Sequence, residues 1–261
     1  MTGAFTKRLI IGGPPRSGTT LVRWVLDASD TIIAGPELGL FVKPWTPDRR
    51  FAQKLDEKID RALGLGRDVI RAEIEDHDDP VRCCDALMAR YMERAGVAKH
   101  GWAEKTPNNC LRYRELAEAR GDLYFLSVVR DPRDVVTSRL EPGSDYYCEP
   151  ERAVRALRAV SAFEHPRHAV VRYEDIVADP ARAFERVFEF LGEPFDPVFL
   201  ERSRRTGVTR DPARVRQPKV TRPISADWSG RWRDPAHEDR IERFMNEPGA
   251  PEVLDAFGYP R

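Results

Sequence analysis

Short apolar runs alternate with amphipathic stretches along most of this chain. Leu9-Ile10-Ile11 reads as a buried strand. A turn rich in glycine and proline follows, from Gly12 to Gly18. Beyond it comes a helical pattern, with Leu21, Val25 and Ala28 on one stripe and Val22 and Leu26 beside it. Thr31-Ile32-Ile33-Ala34 predicts a short second strand that stops at Gly35-Pro36. Trp102-Ala103-Glu104-Lys105 predicts a third, closed by Thr106-Pro107, and Leu111 to Ala119 reads as a helix ending at Gly121. The strongest strand signal is the continuous run from Leu123 to Val129. Ala169-Val170-Val171-Arg172-Tyr173 predicts a fifth strand.

Helix signals fill the intervals. Asp131-Pro132 opens a helix expected to reach about Leu140, with Asp as cap and Pro in the first turn. Glu151 to Ala162 is helical. Asp179-Pro180 opens another helix, with Phe184, Val187, Phe188 and Leu191 at i, i+3, i+4, i+7, stopped by Gly192. Residues 38–50 read as loop. Residues 51–100 read as mostly helical, broken near Asp79-Pro80, and are expected to form a cap over a site or a plain packing layer. Residues 141–149 read as loop, and 205–235 as a long Arg- and Pro-rich loop. Two short helices close the chain, around 236–246 and 251–257.

Strand–helix alternation implies an α/β fold: a central parallel sheet flanked by helices in three layers, with the helical insertion added, all within one domain over 1–261. In such sheets ligands sit beyond the carboxyl ends of the strands. Those ends carry Arg16, Glu37, Lys105, Arg130 and Arg172-Tyr173, so one rim collects three Arg, a Lys, a Glu and a Tyr.

The first of these ends has a recognisable chemistry. Strand, glycine loop and helix in that order point backbone N–H groups at an anion. Gly13 and Gly18 have the separation of a nucleotide-triphosphate loop, and Thr20 stands where its Ser or Thr belongs, but Thr19 replaces its lysine. That change disfavours ATP or GTP hydrolysis, in which the lysine reaches the terminal phosphates. Arg16 inside the loop favours a phosphate ester held by a guanidinium fork.

Pro15-Arg16-Ser17-Gly18-Thr19-Thr20 resembles the 5′-phosphosulfate loop of sulfotransferases that use 3′-phosphoadenosine 5′-phosphosulfate (PAPS). The resemblance implies PAPS as donor and its 3′,5′-bisphosphate (PAP) as product, with Arg16, Ser17, Gly18, Thr19 and Thr20 in the cradle. Glu37 lies twenty-one residues after Arg16. That is similar to the placement of the catalytic glutamate in tyrosylprotein sulfotransferases and related bacterial enzymes, which implies a general base. Lys105 resembles the family lysine at the bridging region of the donor. Arg130 and Ser138, eight residues apart, resemble the 3′-phosphate signature, with Ser138 expected on the next helix. Tyr173 resembles the tyrosine near the adenine, and Arg231, in Ser229-Gly230-Arg231-Trp232, a second 3′-phosphate element. The resemblance departs at Arg216-Gln217, where the tyrosylprotein enzymes carry a serine; Thr221 is the closest hydroxyl. Glu104, beside Lys105, is expected on the opposite face of its strand in a structural role.

Composition narrows the partners. Lys plus Arg and Asp plus Glu each number 43, so no net field draws this 261-residue chain to nucleic acid or an acidic membrane. No run approaches a membrane span, and Met1 to Lys7 has no apolar signal region, so a cytoplasmic location is the expectation. The 4 cysteines match no metal spacing and read as free thiols. Sulfuryl transfer requires no metal in principle. The five histidines, His77, His100, His165, His168 and His237, read as structural. The function expected is transfer to the hydroxyl of an alcohol, sugar or other small molecule, with 38–100 and 141–150 shaping the acceptor side. The alternatives are a nucleotide kinase or NTPase, or a nucleotide-binding protein without chemistry. Acceptor identity and oligomeric state are not legible.

Overall fold

A computed structural model describes residues 5–50, 53–139, 147–209 and 224–261. In chain order the elements are β1 (Lys7–Gly12), α1 (Thr19–Ala28), β2 (Ile32–Ile33), the single turn α2 (Pro47–Arg50), α3 (Gln53–Leu63), α4 (Arg67–Asp76), α5 (Pro80–Ala95), β3 (Gly101–Lys105), α6 (Tyr113–Ala119) and β4 (Leu123–Val129). Then come α7 (Pro132–Thr137), α8 (Pro150–Ser161), β5 (His168–Arg172), α9 (Tyr173–Ala178), α10 (Pro180–Leu191), α11 (Val198–Thr209), α12 (Glu238–Met245) and α13 (Ala250–Ala256). Short 3-10 turns occupy Pro107–Arg112, Ala226–Trp228, Arg231–Arg233 and Pro235–His237.

The five strands form one parallel sheet in the order β2-β3-β1-β4-β5. Period-two alternation sends successive side chains to opposite faces. Leu9, Ile11, Ala103, Leu126 and Val128 pack against α1, α10 and α11. Ile10, Trp102, Leu123, Phe125 and Val129 pack into the second core, with α3 to α8, α12 and α13. These are the helical layers expected on each side of a parallel sheet. The insertion contributes Leu55, Ile59, Leu63, Ile70, Ile74, Val81, Leu87 and Met88 to that second core. Cap chemistry places several boundaries where the sequence puts them. Asp79 accepts from Val81 N at 2.7 Å with Pro80 next, and Gly96 ends α5 in the left-handed region. Asp179 and Gly192 do the same for α10.

Four expectations differ from the structure. Tyr173 does not end β5; it opens α9, whose first turn carries Glu174 and Asp175, favourable at a helix N-terminus. The helix after Asp131 stops at Thr137. Its last residues are the β-branched Val135, Val136 and Thr137, and Thr137 Oγ1 bonds back to Arg133 O at 2.8 Å. Ser138 is therefore the extended residue that ends α7, not a member of the helix. The segment from Pro107 to Arg112 winds as a 3-10 turn, so the helix expected from Leu111 begins at Tyr113. Finally, α11 runs to Thr209 within the stretch read as loop from 205. Arg216, Gln217 and Thr221 lie outside the described residues, as do 141–146 of the expected acceptor loop.

All four cysteines are buried free thiols. Burial pushes the Cys110 thiol up to about 12 and the Cys148 thiol to about 11, which keeps both protonated and inert at neutral pH. His168 lies between Ser127 Oγ and the Phe163 carbonyl, 2.9 Å from each, and burial lowers its pKa. No described helix is long and apolar enough to cross a membrane.

One glycine limits what the first turn can hold. Gly13 has φ +133, and a Cβ there would lie 2.2 Å from Val128 O on the neighbouring strand. Replacing Gly13 by alanine is expected to cost at least about 2 kcal/mol, through backbone clash and strain together. Urea unfolding measures this, and an unchanged midpoint would contradict the close approach of the loop to β4.

Candidate active site

The glycine-rich loop leaves β1 at Gly12 and enters α1 at Gly18. Arg16 sits at φ +70, the only non-glycine residue with positive φ among the described residues. A left-handed arginine costs of order 1 kcal/mol and persists where the surroundings enforce it. Here its guanidinium spans to the end of α7, with Nε 3.4 Å from Ser138 Oγ and Nη2 2.9 Å from Arg139 O. Gly18 caps α1 at φ +91 without a side-chain hydrogen bond to the first turn. A Cβ at Gly18 would meet Tyr173 Cδ2 at 2.7 Å, so bare backbone is required where α9 approaches. Ser17 is fully buried, and its hydroxyl has no hydrogen-bond partner among the described residues. An orphaned buried hydroxyl in such a cradle fits an absent anion. Thr19 is buried at the first position of α1, and Thr20 beside it is partly exposed.

Lys105 reaches the same helix start from β3. Its side chain is only 2% exposed. Nζ donates to Thr20 Oγ1 at 3.1 Å and to the Glu37 carboxylate. Burial pulls the Lys105 ammonium below its ordinary value, Glu37 opposes that pull, and Arg23 adds to it. Glu37, 41% exposed, follows Gly35-Pro36 after β2, where water or a ligand can reach it.

Glu104 turns to the other face of β3, as period two requires, and is fully buried. Its Oε1 accepts from Leu38 N at 2.9 Å, Gly39 N at 3.2 Å and Thr106 Oγ1 at 2.7 Å. Its Oε2 accepts from Asn109 Nδ2 at 2.6 Å, and that amide also donates to Ile11 O at 3.2 Å. Adjacent residues of one strand thus hold Glu37 by its side chain and by the backbone that follows it. On the other side of the sheet, Ala34 is tied to α1 through Asp27 Oδ1 at 3.0 Å and Arg23 Nη1 at 3.1 Å.

Arg130 directly follows β4 and is buried. Nη1 donates to Arg16 O at 3.1 Å, and Nη2 donates to Trp228 O. Its guanidinium lies 4.6 Å from the Tyr173 ring centroid, within cation–π range. Its Nε is buried without a partner among the described residues. Arg231 is exposed and lies over the Trp228 ring at 4.8 Å. Arg172, by contrast, turns to the C-terminus, 4.5 Å from the Tyr259 ring.

The structure therefore brings Arg16, Ser138, Arg130, Tyr173 and Gly18 into one contiguous group. Lys105, Thr20 and Glu37 form a second, joined to the first through the loop. Arg231 is linked at one remove, through Trp228.

A model of the sulfotransferase family matches residues 8–197. The chain belongs to that family. This sulfotransferase-family chain is 24% identical over 251 residues to protein-tyrosine sulfotransferase 2 of Gallus gallus, covering 86% of this chain and 62% of that protein. It is 22% identical over 245 residues to protein-tyrosine sulfotransferase 1 of Danio rerio, covering 86% and 65%. It thus spans less than two-thirds of the length of these curated relatives. In fold it is similar to the sulfotransferase domain of the olefin synthase of Synechococcus PCC 7002, with TM-score 0.68 at 20% identity, covering 100% of this chain and 97% of that one. The sulfotransferase domain from the curacin biosynthetic pathway gives 0.67 at 18%, covering 99% of each.

Two residues of this sulfotransferase-family site carried no role in the sequence reading. Asp134 and Trp228 surround Arg130, and only the i, i+4 spacing of Arg130 and Asp134 could have pointed to either. Among the described residues no cluster of His, Cys, Asp and Glu could hold a metal ion.

Proposed function

We propose that this chain moves a sulfuryl group from PAPS to an acceptor hydroxyl, with Glu37 as general base. The observation that carries the proposal is the buried Lys105, which bonds both Glu37 and Thr20 and so joins the carboxylate to the phosphate loop. The residues present fit the donor. The unpartnered Ser17 hydroxyl, the uncapped start of α1 and the left-handed Arg16 make a cradle for its 5′ anion. Bound there, the donor would supply an activated sulfuryl group on its 5′-phosphate.

Each residue's task follows from its chemistry. Glu37 takes the proton of the acceptor hydroxyl at a carboxylate oxygen. Lys105 and Arg16, with the N–H groups of the loop, hold negative charge on the departing phosphate. The low dielectric around Lys105 strengthens that attraction. Arg130, Ser138 and Arg231 bind the 3′-phosphate, and Tyr173 borders the adenine. The held nucleotide keeps donor and acceptor in line.

The acceptor is an alcohol, sugar or other small molecule, and residues 38–100 border its side of the site. A cytoplasmic location agrees with four cysteines kept as free thiols. The test incubates the purified chain with sulfur-35-labelled PAPS and a panel of alcohols, phenols, sugars and tyrosine peptides. Label transfer to at least one class is expected, together with calorimetric binding of PAP. Failure to bind PAP, with turnover of Mg–ATP instead, would favour the kinase or NTPase reading.

A further inference from the structure

We propose that Asp134 is a positioning residue that seats the segment 224–234 over Arg130 and thereby builds the preference for a 3′-phosphate. The inference rests on the proposed role of Arg130. Asp134 has 1% of its surface exposed. Its Oδ2 accepts from Gly230 N at 2.7 Å and its Oδ1 from Trp232 N at 3.0 Å. Arg130 Nη2 stands 3.8 Å from the same carboxylate. Two backbone donors ninety-six and ninety-eight residues further along the chain therefore converge on one buried side chain, one on each oxygen.

The chemistry of that seat requires a carboxylate. It must accept on both oxygens while facing a guanidinium, and an amide would turn an NH2 group towards one of the N–H donors. The neighbours of Asp134 support the same arrangement. Asp131 holds Arg133 through two hydrogen bonds, at 2.9 and 2.8 Å, and the Arg133 guanidinium lies 3.9 Å from the Trp232 ring centroid. Gly230 supplies the left-handed turn, at φ +75, that directs both N–H groups inward. From the seated segment, Trp228 O accepts from Arg130 Nη2, and Trp228 carries Arg231 on its ring. The two cations proposed to hold the 3′-phosphate thus reach it from elements joined through Asp134. Arg130 also keeps its buried Nε without a partner, a donor available to a bound oxyanion.

Dissociation constants for PAP and for adenosine 5′-monophosphate, measured by calorimetry on wild type and Asp134→Asn, test this. The substitution is expected to weaken PAP about tenfold or more and the monophosphate less than about threefold, so the preference between them collapses. A purely structural role would lower thermal stability and leave that ratio intact. Limited trypsinolysis is expected to cut the variant at Arg231 or Arg233 sooner than wild type. A folded Asp134→Asn with the wild-type ratio overturns the inference. Should Asp134→Asn not fold, Gly230→Ala strains the same seat from the partly exposed side. It is expected to reduce the preference, and a wild-type ratio in that variant is also fatal. A wild type that itself shows no preference for PAP instead refutes the 3′ role of Arg130.

Discussion

Glu37→Gln is expected to lower the turnover of sulfuryl transfer by about 10² to 10⁴, the range typical of a lost general base. Binding of PAP near neutral pH should change little, because the amide keeps the shape of the side chain. The two readouts separate chemistry from binding, and wild-type turnover in the variant would remove Glu37 from the mechanism. A second consequence follows from its neighbour. Glu37 opposes the desolvation that lowers the Lys105 pKa. With the carboxylate gone, Lys105 should lose its proton at a lower pH than in wild type. The cation that attracts the 5′ anion would then be lost earlier as pH rises. Titration of PAP affinity against pH should show the alkaline decline displaced to lower pH in the variant. A displacement in the opposite direction would mean that Lys105 and Glu37 do not act as a pair.

Arg130→Ala should raise the dissociation constant for PAP by about 10- to 100-fold, the worth of a charge-assisted contact of about 1.5–3 kcal/mol. For adenosine 5′-monophosphate the change should stay within about threefold. Some loss of stability will accompany it, since Arg130 also donates to the carbonyls of Arg16 and Trp228. Thermal unfolding of the free variant measures that part separately. Equal losses for both nucleotides would mean that Arg130 serves the loop rather than the 3′-phosphate.

Much of the architecture was legible because the central strands are buried on both faces. Leu9-Ile10-Ile11 and the run from Leu123 to Val129 have no polar alternation to confuse with a surface helix. The rim residues were legible for a related reason: in a parallel sheet every strand points its carboxyl end the same way. That rule places Arg16, Glu37, Lys105 and Arg130 on one edge without knowledge of any side-chain contact. It does not extend to Arg172, which ends β5 yet turns to Tyr259.

What escaped the sequence depended on distance along the chain or on local balance. In α11, Gly207 and Thr209 are poor helix formers, so the sequence signals its far end only weakly. The early end of α7 turns on one hydroxyl, Thr137 Oγ1, bonding backwards. The left-handed backbone of Arg16 has no sequence signature, since arginine rarely adopts it. Asp134 reads as an ordinary helix residue until the partners nearly a hundred positions away are known. Glu104 could be assigned to the far face of β3, but its four donors come from two segments, 38–39 and 106–109.

The strand order also constrains how the chain can be made. Of the five strands, the one that leads into the glycine loop comes first in the chain, yet it occupies the middle of the sheet. Its neighbours, β3 and β4, lie about a hundred residues downstream. Until both have emerged, Leu9-Ile10-Ile11 keeps at least one unpaired edge, the condition that invites association with other chains. Any nascent or truncated product ending before Leu123 therefore lacks the pairing that closes its own centre. The rim that carries Arg16, Glu37, Lys105 and Arg130 therefore cannot assemble before β4 has been made.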